Sequence, residues 1–277
     1  MIVSPYDNLS MVYAADPVNR QHPLNQGRVA WWLTLPELAG GRQFFDLMGL
    51  HQGTLTSMGN ASNGWRGTTR PGGSGHIVAD GSAGNVTAPC TVLNGASQAT
   101  IACWVYKASN AVTLGCGGVN DSISGVNRFS FIWFTDGNLY ASAGTPYGFA
   151  SQSDFVWHRI VLVFDGTTTG NANRLKIYTD GVQKSLSFAG GTINATLPNI
   201  SPYILGKDAT DRFTAGAYDD FTIWNRSLSA SDVIADYGLS RRGYPDVLNR
   251  FNPAMVIYSI PSSVRISPFW YARNVHQ

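Results

Sequence analysis

The chain has 277 residues, of which 44% are hydrophobic and 12% aromatic, so it can bury the core of one large or two small domains and is not disordered throughout. Only 13% of the residues are charged, the formal net charge is +2, and no long basic run occurs, which argues against a nucleic-acid partner. Glu37 is the single glutamate beside sixteen aspartates, which excludes any mechanism built on two glutamates.

The composition predicts a mainly β protein. Lysine and glutamate, which helix-rich surfaces favour, are scarce, since fifteen arginines accompany only four lysines. Thirty glycines, together with many Ser, Thr and Asn residues, favour frequent turns between short strands.

Strand patterns rich in β-branched and aromatic residues recur from about residue 29 to 224. The clearest lie at residues 100–106, 129–134, 157–164, 174–178 and 221–224. Between them stand three Asp-Gly pairs, which begin at Asp136, Asp165 and Asp180 and favour the left-handed backbone of tight turns. We therefore interpret these three aspartates as turn residues and not as catalytic acids.

One helix is predicted after the last strand, over residues 228–238, with a length of about two turns. Ser229 is suited to accept the N-terminal backbone hydrogen bond, Asp232 complements the helix dipole, and Gly238 is suited to close the helix.

We divide the chain into an N-terminal arm (1–27), a β domain (28–238) and a C-terminal docking tail (239–277). The tail is broken by prolines yet rich in apolar residues, so we expect it to lie on a surface of the domain or of a partner. The predicted docking residues are Phe251, Met255, Ile257, Phe269, Trp270 and Tyr271. The N-terminus has no basic region before its apolar residues, and no apolar run approaches about 20 residues, so neither a signal peptide nor membrane insertion is expected.

The three cysteines, Cys90, Cys103 and Cys116, form no CxxC motif. At most one disulfide is possible, and buried free thiols are the favoured interpretation, while zinc has no support.

Seven segments in order resemble the laminin-G-like, concanavalin A-like jelly roll in its phage or bacterial type. They are GRVAWWL (27–33), DLMGLHQG (46–53), TIACWV (100–105), WHRIVLVFDG (157–166), IYTDG (177–181), ILG (204–206) and GAYDDFTIWNRSLS (216–229). The resemblance implies an all-β sandwich of two antiparallel sheets with one short C-terminal helix. Four tryptophans within apolar strand patterns, Trp32, Trp104, Trp157 and Trp224, are predicted to fill the layer between the sheets.

The resemblance also suggests a laminarinase-like hydrolase, but the two-glutamate signature of that type is absent. Asp219 and Asp220 are adjacent, and consecutive strand residues point to opposite faces, so they are not expected to act as an acid pair. His158, within a strand, is interpreted as solvent-facing or hydrogen-bonded and not as part of a catalytic triad. The expected protein is therefore not an enzyme.

Calcium is the one cofactor that the resemblance suggests. It assigns Asp220 to a structural calcium site, with Asp219 as the neighbour that could substitute, while the alternative is that both aspartates are solvated at a strand edge.

Three functions follow in order of preference. The first is a structural or decoration protein of a virus-like particle of tailed-phage type, located in the virion and bound to other virion proteins or to copies of itself. The second is a free-standing lectin-like module that is extracellular by a non-classical route and presents Tyr140, Tyr147 and Tyr203 to surface glycans. The third is the hydrolase. The first two are compatible, because a virion surface domain can also attach to host glycans.

Overall fold

Two antiparallel β-sheets pack face to face in a computed structural model that describes residues 18–33, 43–58, 64–67, 75–89, 91–120, 127–152, 155–200, 203–207, 213–244 and 247. Aromatic contacts join the layers: the rings of Trp32 and Phe44 lie 6.4 Å apart, and those of Phe129 and Phe164 lie 6.2 Å apart. The predicted all-β, two-sheet sandwich is confirmed.

The first sheet has eight strands. Its strands are β1 (Arg28–Trp32), β4 (Gly64–Gly67), β5 (Gly75–Asp80), β7 (Gln98–Tyr106), β12 (His158–Asp165), β13 (Leu175–Thr179), β14 (Val182–Lys184) and β17 (Ala215–Trp224). The order is β14-β13-β12-β7-β17-β5-β4, and β1 also pairs with β17.

The second sheet has nine strands. They are β2 (Gln43–Phe44), β3 (Gly53–Thr56), β6 (Asn85–Ala88), β8 (Leu114–Asn120), β9 (Arg128–Trp133), β10 (Asn138–Ala143), β11 (Tyr147–Ser151), β15 (Ser187–Ala189) and β16 (Tyr203–Leu205). The order is β15-β11-β10-β9-β8-β16-β6-β3-β2.

A tight turn at Asp180 and Gly181, one of the three predicted Asp-Gly turns, joins β13 to β14. Asp180 and Gly181 have φ angles of 54° and 82°, and they join Thr179 to its strand partner Val182. Positive φ at both central residues is the geometry of the tight hairpin turn that matches strand twist, so the turn role of this pair is confirmed.

The tryptophan prediction is confirmed at Trp32, which lies in the core between the sheets, and is wrong at the other three positions. Trp104 and Trp224 are buried, but on the outer side of the eight-stranded sheet, where Trp104 packs against α2 and Trp224 belongs to a separate apolar cluster. Trp157 is only half-buried, because it precedes β12 on the outer side of the eight-stranded sheet, where its ring contacts those of Tyr106 and His76.

Helices α1 (Asn171–Arg174) and α2 (Ala230–Ser240) accompany the sheets. At the start of α2, the Ser229 side chain accepts from the backbone N–H of Asp232, and the Asp232 carboxylate accepts from the backbone N–H of Ser229. The prediction that Gly238 closes this helix is wrong: α2 includes Gly238 and continues to Ser240, so it has about three turns. Gly243, with φ 71°, is the glycine that turns left-handed beyond it.

The packed domain extends past both predicted boundaries. Trp224 Nε1 donates to the carbonyl of Leu24 at 2.7 Å, and the backbone N–H of Asn19 donates to the carbonyl of Val247 at 3.0 Å. Val18, Tyr244 and Val247 are buried together against Trp31. The divisions at 27/28 and 238/239 therefore fall inside the folded part.

Two smaller findings complete the fold. Cys103 is a buried free thiol, as predicted, whereas the side chains of Cys90 and Cys116 lie outside the described residues. None of the helices among the described residues has the length and hydrophobicity that a membrane span requires.

Candidate functional site: an aromatic face on the nine-stranded sheet

The outer side of β10 and β11 carries a cluster of aromatic rings. Leu139 and Ala141 of β10 lie in the core between the sheets, so the alternating residue Tyr140 points outward. Tyr140 pairs with Phe149 across the strands, and Phe149 and Tyr147 are alternate residues of β11. The Tyr140 ring lies 5.4 Å from that of Phe149 and 5.7 Å from that of Tyr147.

A fourth ring extends the cluster at the end of β9. Phe134 meets Tyr140 edge to face, with 5.0 Å between the ring centroids. All four side chains are half-buried, so each ring is supported by its neighbours while part of it remains open to solvent. We call Phe134, Tyr140, Tyr147 and Phe149 the aromatic face.

The rim of the aromatic face is formed by the turn between β9 and β10. Exposed Asp136 accepts from the backbone N–H of Asn138 at 2.9 Å, from its side-chain amide at 3.0 Å, and from the Tyr140 hydroxyl at 2.7 Å. Although partial burial acts in the opposite direction, these donors hold the pKa of Asp136 below its ordinary value. The hydrogen bond to Asp136, with some burial, raises the pKa of Tyr140 to about 12. The rim therefore presents an ionised carboxylate and a neutral phenol.

A buried lysine lies behind this rim. Lys107 is fully buried, its ammonium donates to the carbonyl of Phe134 and to Asn110 Oδ1 at 3.2 Å, and it lies 5.2 Å from the Trp133 ring centroid. Burial lowers the pKa of Lys107 to about 8, although the Asp136 charge opposes the shift.

The structure brings together two of the three predicted glycan-contacting tyrosines. Tyr140 and Tyr147 share the aromatic face, whereas Tyr203 lies on β16, with β9 and β8 between it and β10, and its side chain lies outside the described residues. Phe134 and Phe149 were missed. The alternation of Tyr147 and Phe149 along β11 was a signal for Phe149, but the pairing of β11 with β10 was needed to interpret it.

Asp219 and Asp220 lie elsewhere, on the outer side of the eight-stranded sheet. Asp219 pairs with Trp104 and Thr222 with Ala102, so β17 holds one more residue than β7 over this stretch. Asp220, with φ 55°, is part of this β-bulge. Because Tyr218 and Phe221 both lie in the core, both aspartates lie on the other side. The expectation that they point to opposite faces is therefore wrong.

The Asp220 carboxylate is wholly engaged by the protein itself. Its Oδ1 accepts from Trp31 Nε1 at 2.8 Å, its Oδ2 accepts from the Tyr244 hydroxyl, and Oδ2 lies 3.2 Å from Arg159 Nη1. The Arg159 guanidinium also donates to both oxygens of Asp236, from Nε at 2.9 Å and from Nη2 at 3.3 Å. These groups are buried and join α2 and the segment after it to the sheet.

This arrangement does not fit a calcium ion. Calcium takes six to eight oxygen ligands, whereas Asp220 faces a guanidinium and is fully buried. In the part of the chain that the structure describes, no three His, Cys, Asp or Glu residues are grouped to hold a metal. The alternative of two solvated aspartates at a strand edge is also wrong, because β17 is an interior strand and both side chains are buried.

His158 has a structural environment. It is 3% exposed, its Nδ1 lies 2.7 Å from Asp180 Oδ2, and its Nε2 lies 3.1 Å from the Gln152 amide nitrogen. The hydrogen-bonded interpretation is thus confirmed over the solvent-facing one. The pair connects the start of β12 to the hairpin turn at Asp180, whose other oxygen accepts from the backbone N–H of Arg159.

The remaining predicted contact residues cannot be placed. Phe251, Met255, Ile257, Phe269, Trp270 and Tyr271 lie outside the described residues, as does Glu37.

Comparison with known proteins identifies the family. A family model described as the concanavalin A-like lectin/glucanases superfamily, of laminin G type, matches residues 80–234, more than half of the chain. No curated protein sequence matches.

Three solved structures show what the fold is similar to. Trypanosoma rangeli sialidase is 15% identical with a TM-score of 0.55, over 76% of this chain and 32% of the sialidase. Domain 4 of AbnA, a GH43 extracellular arabinanase from Geobacillus stearothermophilus solved with arabinotriose, is 16% identical with a TM-score of 0.51, over 75% of this chain and 97% of that domain. The third is a structure of botulinum neurotoxin type C, a toxin whose cell entry depends on interaction with two ganglioside molecules. It is 12% identical with a TM-score of 0.53, over 78% of this chain and 52% of that chain. The chain thus spans about a third of the sialidase and shares only its fold.

Proposed function

Because this chain belongs to the concanavalin A-like lectin/glucanase superfamily, we propose that it is a non-catalytic glycan-binding protein whose ligand stacks on the aromatic face. The observation that carries the proposal is the grouping of four half-buried rings on one side of the nine-stranded sheet. Sugar rings present C–H groups that pack well against the electron-rich faces of aromatic rings. Clustered apolar surface with a polar rim is also the usual mark of a binding site. The arabinanase domain solved with arabinotriose supports the proposal by analogy of fold.

The acidic groups support binding without hydrolysis. Most glycoside hydrolases use two carboxyl groups, about 5 to 10 Å apart, on either side of the scissile bond. Among the described residues, Asp136 is the carboxylate at the rim of the aromatic face, and its oxygens already accept hydrogen bonds from Asn138 and Tyr140. Asp220, the other acid considered from sequence, is paired with Arg159 in the opposite sheet.

The test is a glycan array followed by calorimetric titration of the best ligand. We expect Tyr140→Ala and Phe149→Ala to weaken binding about tenfold or more, since each removes a stacking surface. Trp157→Ala is the matched control, because Trp157 is also a half-buried aromatic residue but lies on the eight-stranded sheet. Loss of binding in Trp157→Ala with full binding in Tyr140→Ala would contradict the proposal, because the ligand would then bind to the eight-stranded sheet.

A second role, display on a virus-like particle, is favoured by where the ends of the described chain lie. Asn19 and Val247 are hydrogen-bonded neighbours, and Val18 and Val247 pack against Trp31 of the eight-stranded sheet. The arm before residue 18 and the tail after residue 247 therefore join the domain side by side, on the sheet opposite the aromatic face. Such a placement suits a domain anchored through its ends to other virion proteins, or to copies of itself, with its glycan-binding side directed outward.

Deletion of residues 251–277 tests the display role. It removes all six predicted docking residues but keeps Tyr244 and Val247, which are buried in the domain. We expect the truncated protein to fold and bind glycan as the full chain does, yet to be missing from purified particles after co-expression with the other structural proteins. Normal incorporation would contradict this role, and a purely soluble, extracellular lectin would then be the better description.

A further inference from the structure

We propose that the aromatic face selects neutral sugars and rejects sugars that carry a carboxylate or sulfate. This inference rests on the glycan-binding function proposed above and adds the substrate class. It follows from the polar groups around Tyr140, which are hydrogen-bond acceptors and carry negative charge.

The first step is the protonation and bonding of the rim. Asp136 is exposed and ionised, and it already accepts the hydroxyl hydrogen of Tyr140. The Tyr140 oxygen has thereby used its one donor and can only accept further hydrogen bonds. A ligand on this ring meets a carboxylate and a phenol oxygen, and both can only accept hydrogen bonds from the ligand. Hydroxyl groups of a neutral sugar supply such donors, whereas an ionised acid supplies none and is repelled.

The second step is the position of two cations among the described residues, Lys107 and Arg128. Lys107 is fully buried, and its ammonium is bonded to Asn110 and to the Phe134 carbonyl, so it offsets part of the Asp136 charge without being accessible to a ligand. Arg128 is at the far end of β9, four residues from Ile132, the strand partner of Tyr140. That separation is about 13 Å along the strand, so Arg128 is distant from the Asp136 rim and lies toward the Tyr147 end of the aromatic face, where Ser142 pairs with Ser130 on one side and with Tyr147 on the other. Arg128 also directs its Nε toward the carbonyl of Gly144 at 3.2 Å.

The experiment compares matched ligands by calorimetric titration, with lactose against 3′-sialyllactose and xylotriose against its glucuronic acid-substituted form. For any pair that binds, we expect the neutral member to bind at least about tenfold more tightly. Asp136→Asn, which keeps the shape but removes the charge, is expected to bring the two affinities close together. Asp165→Asn is the matched control, because Asp165 also accepts backbone and side-chain hydrogen bonds at an Asp-Gly turn but lies away from the aromatic face.

The outcomes separate the inference from the function on which it rests. Equal or tighter binding of the acidic member overturns the inference and leaves glycan binding intact, and loss of that binding in Arg128→Ala would identify the cation responsible. Neutral preference that persists unchanged in folded Asp136→Asn also overturns it, because the selection would then not arise from this carboxylate. No binding to any glycan of the array, with Tyr140→Ala indistinguishable from the parent protein, overturns the proposed function and the inference together.

Discussion

Tyr140 and Asp136 are joined by a 2.7 Å hydrogen bond that connects the aromatic face to the turn between β9 and β10. The bond fixes the Tyr140 ring from its hydroxyl end, while Phe149 and Phe134 hold it from the sides. A ligand-stacking ring that is held in place before binding loses less conformational freedom when the ligand arrives. The same bond can be tested without any ligand, because it raises the pKa of Tyr140.

The first prediction is that Tyr140 ionises at a pKa of about 12, raised from 10 chiefly by its hydrogen bond to Asp136. In Asp136→Asn, the phenolate no longer faces a negative charge, so the pKa is expected to fall toward 10. The measurement is an NMR titration of ring-labelled tyrosine, with Tyr140→Phe identifying the resonance. An unchanged pKa in Asp136→Asn would show that the bond is not formed in solution.

The second prediction concerns stability at alkaline pH. The pKa of Lys107 is lowered from 10.5 to about 8 by burial, so between these values the unfolded chain binds more protons than the folded protein. The free energy of unfolding gains a contribution that rises with pH over this window. Above pH 10, Tyr140 acts in the opposite direction, because its folded pKa is the higher one.

Urea denaturation at a series of pH values between 8 and 10 tests this prediction. The contribution should vanish in Lys107→Met, while Lys184→Met, on the edge strand β14, should retain it. If the free energy of unfolding changes with pH in the same way in the parent protein and in Lys107→Met, the pH dependence does not arise from Lys107 and the prediction is wrong.

The third prediction contrasts two buried charges near α2. Asp236→Asn removes one of the carboxylates that compensate Arg159 and is expected to lower the free energy of unfolding by about 3 to 5 kcal/mol. Arg28 is also buried, with its guanidinium carbon 3.9 Å from the Trp31 ring centroid, but its nitrogens have no hydrogen-bond partner among the described residues. Arg28→Met loses its cation–π contacts with Trp31, Trp224 and Tyr244 but no hydrogen bond, and it also removes a buried charge, so it should cost less than Asp236→Asn. Denaturation of both variants in urea makes the comparison, and equal losses would contradict it.

The sequence was sufficient for features that depend on local pattern. Alternation and turn residues predict β7, β12 and the hairpin at Asp180, since each of these signals lies within a few neighbouring residues. The aromatic face was only half predicted, because Tyr140 and Phe149 become neighbours through strand pairing. Asp219 and Asp220 were misjudged because one extra residue in β17 reverses the alternation, and the sequence around a bulge carries no distinct signal.

The last prediction concerns the end of α2, where sequence and structure assign different glycines. Gly238 lies inside the helix, and a Cβ placed there would meet no atom within 4 Å. Gly238→Ala should therefore raise the free energy of unfolding by about 0.5 to 1 kcal/mol, because alanine restricts the unfolded chain and fits the helix without strain. Gly243, with φ 71°, adopts the left-handed conformation after the helix, so Gly243→Ala should lower stability by a similar amount or more. Thermal and urea denaturation of the two variants provide the measurement, with Gly95→Ala as a control at another left-handed glycine that has no atom within 4 Å. If Gly238→Ala destabilises the protein and Gly243→Ala does not, the helix ends at Gly238 in solution and the capping role passes back to that residue.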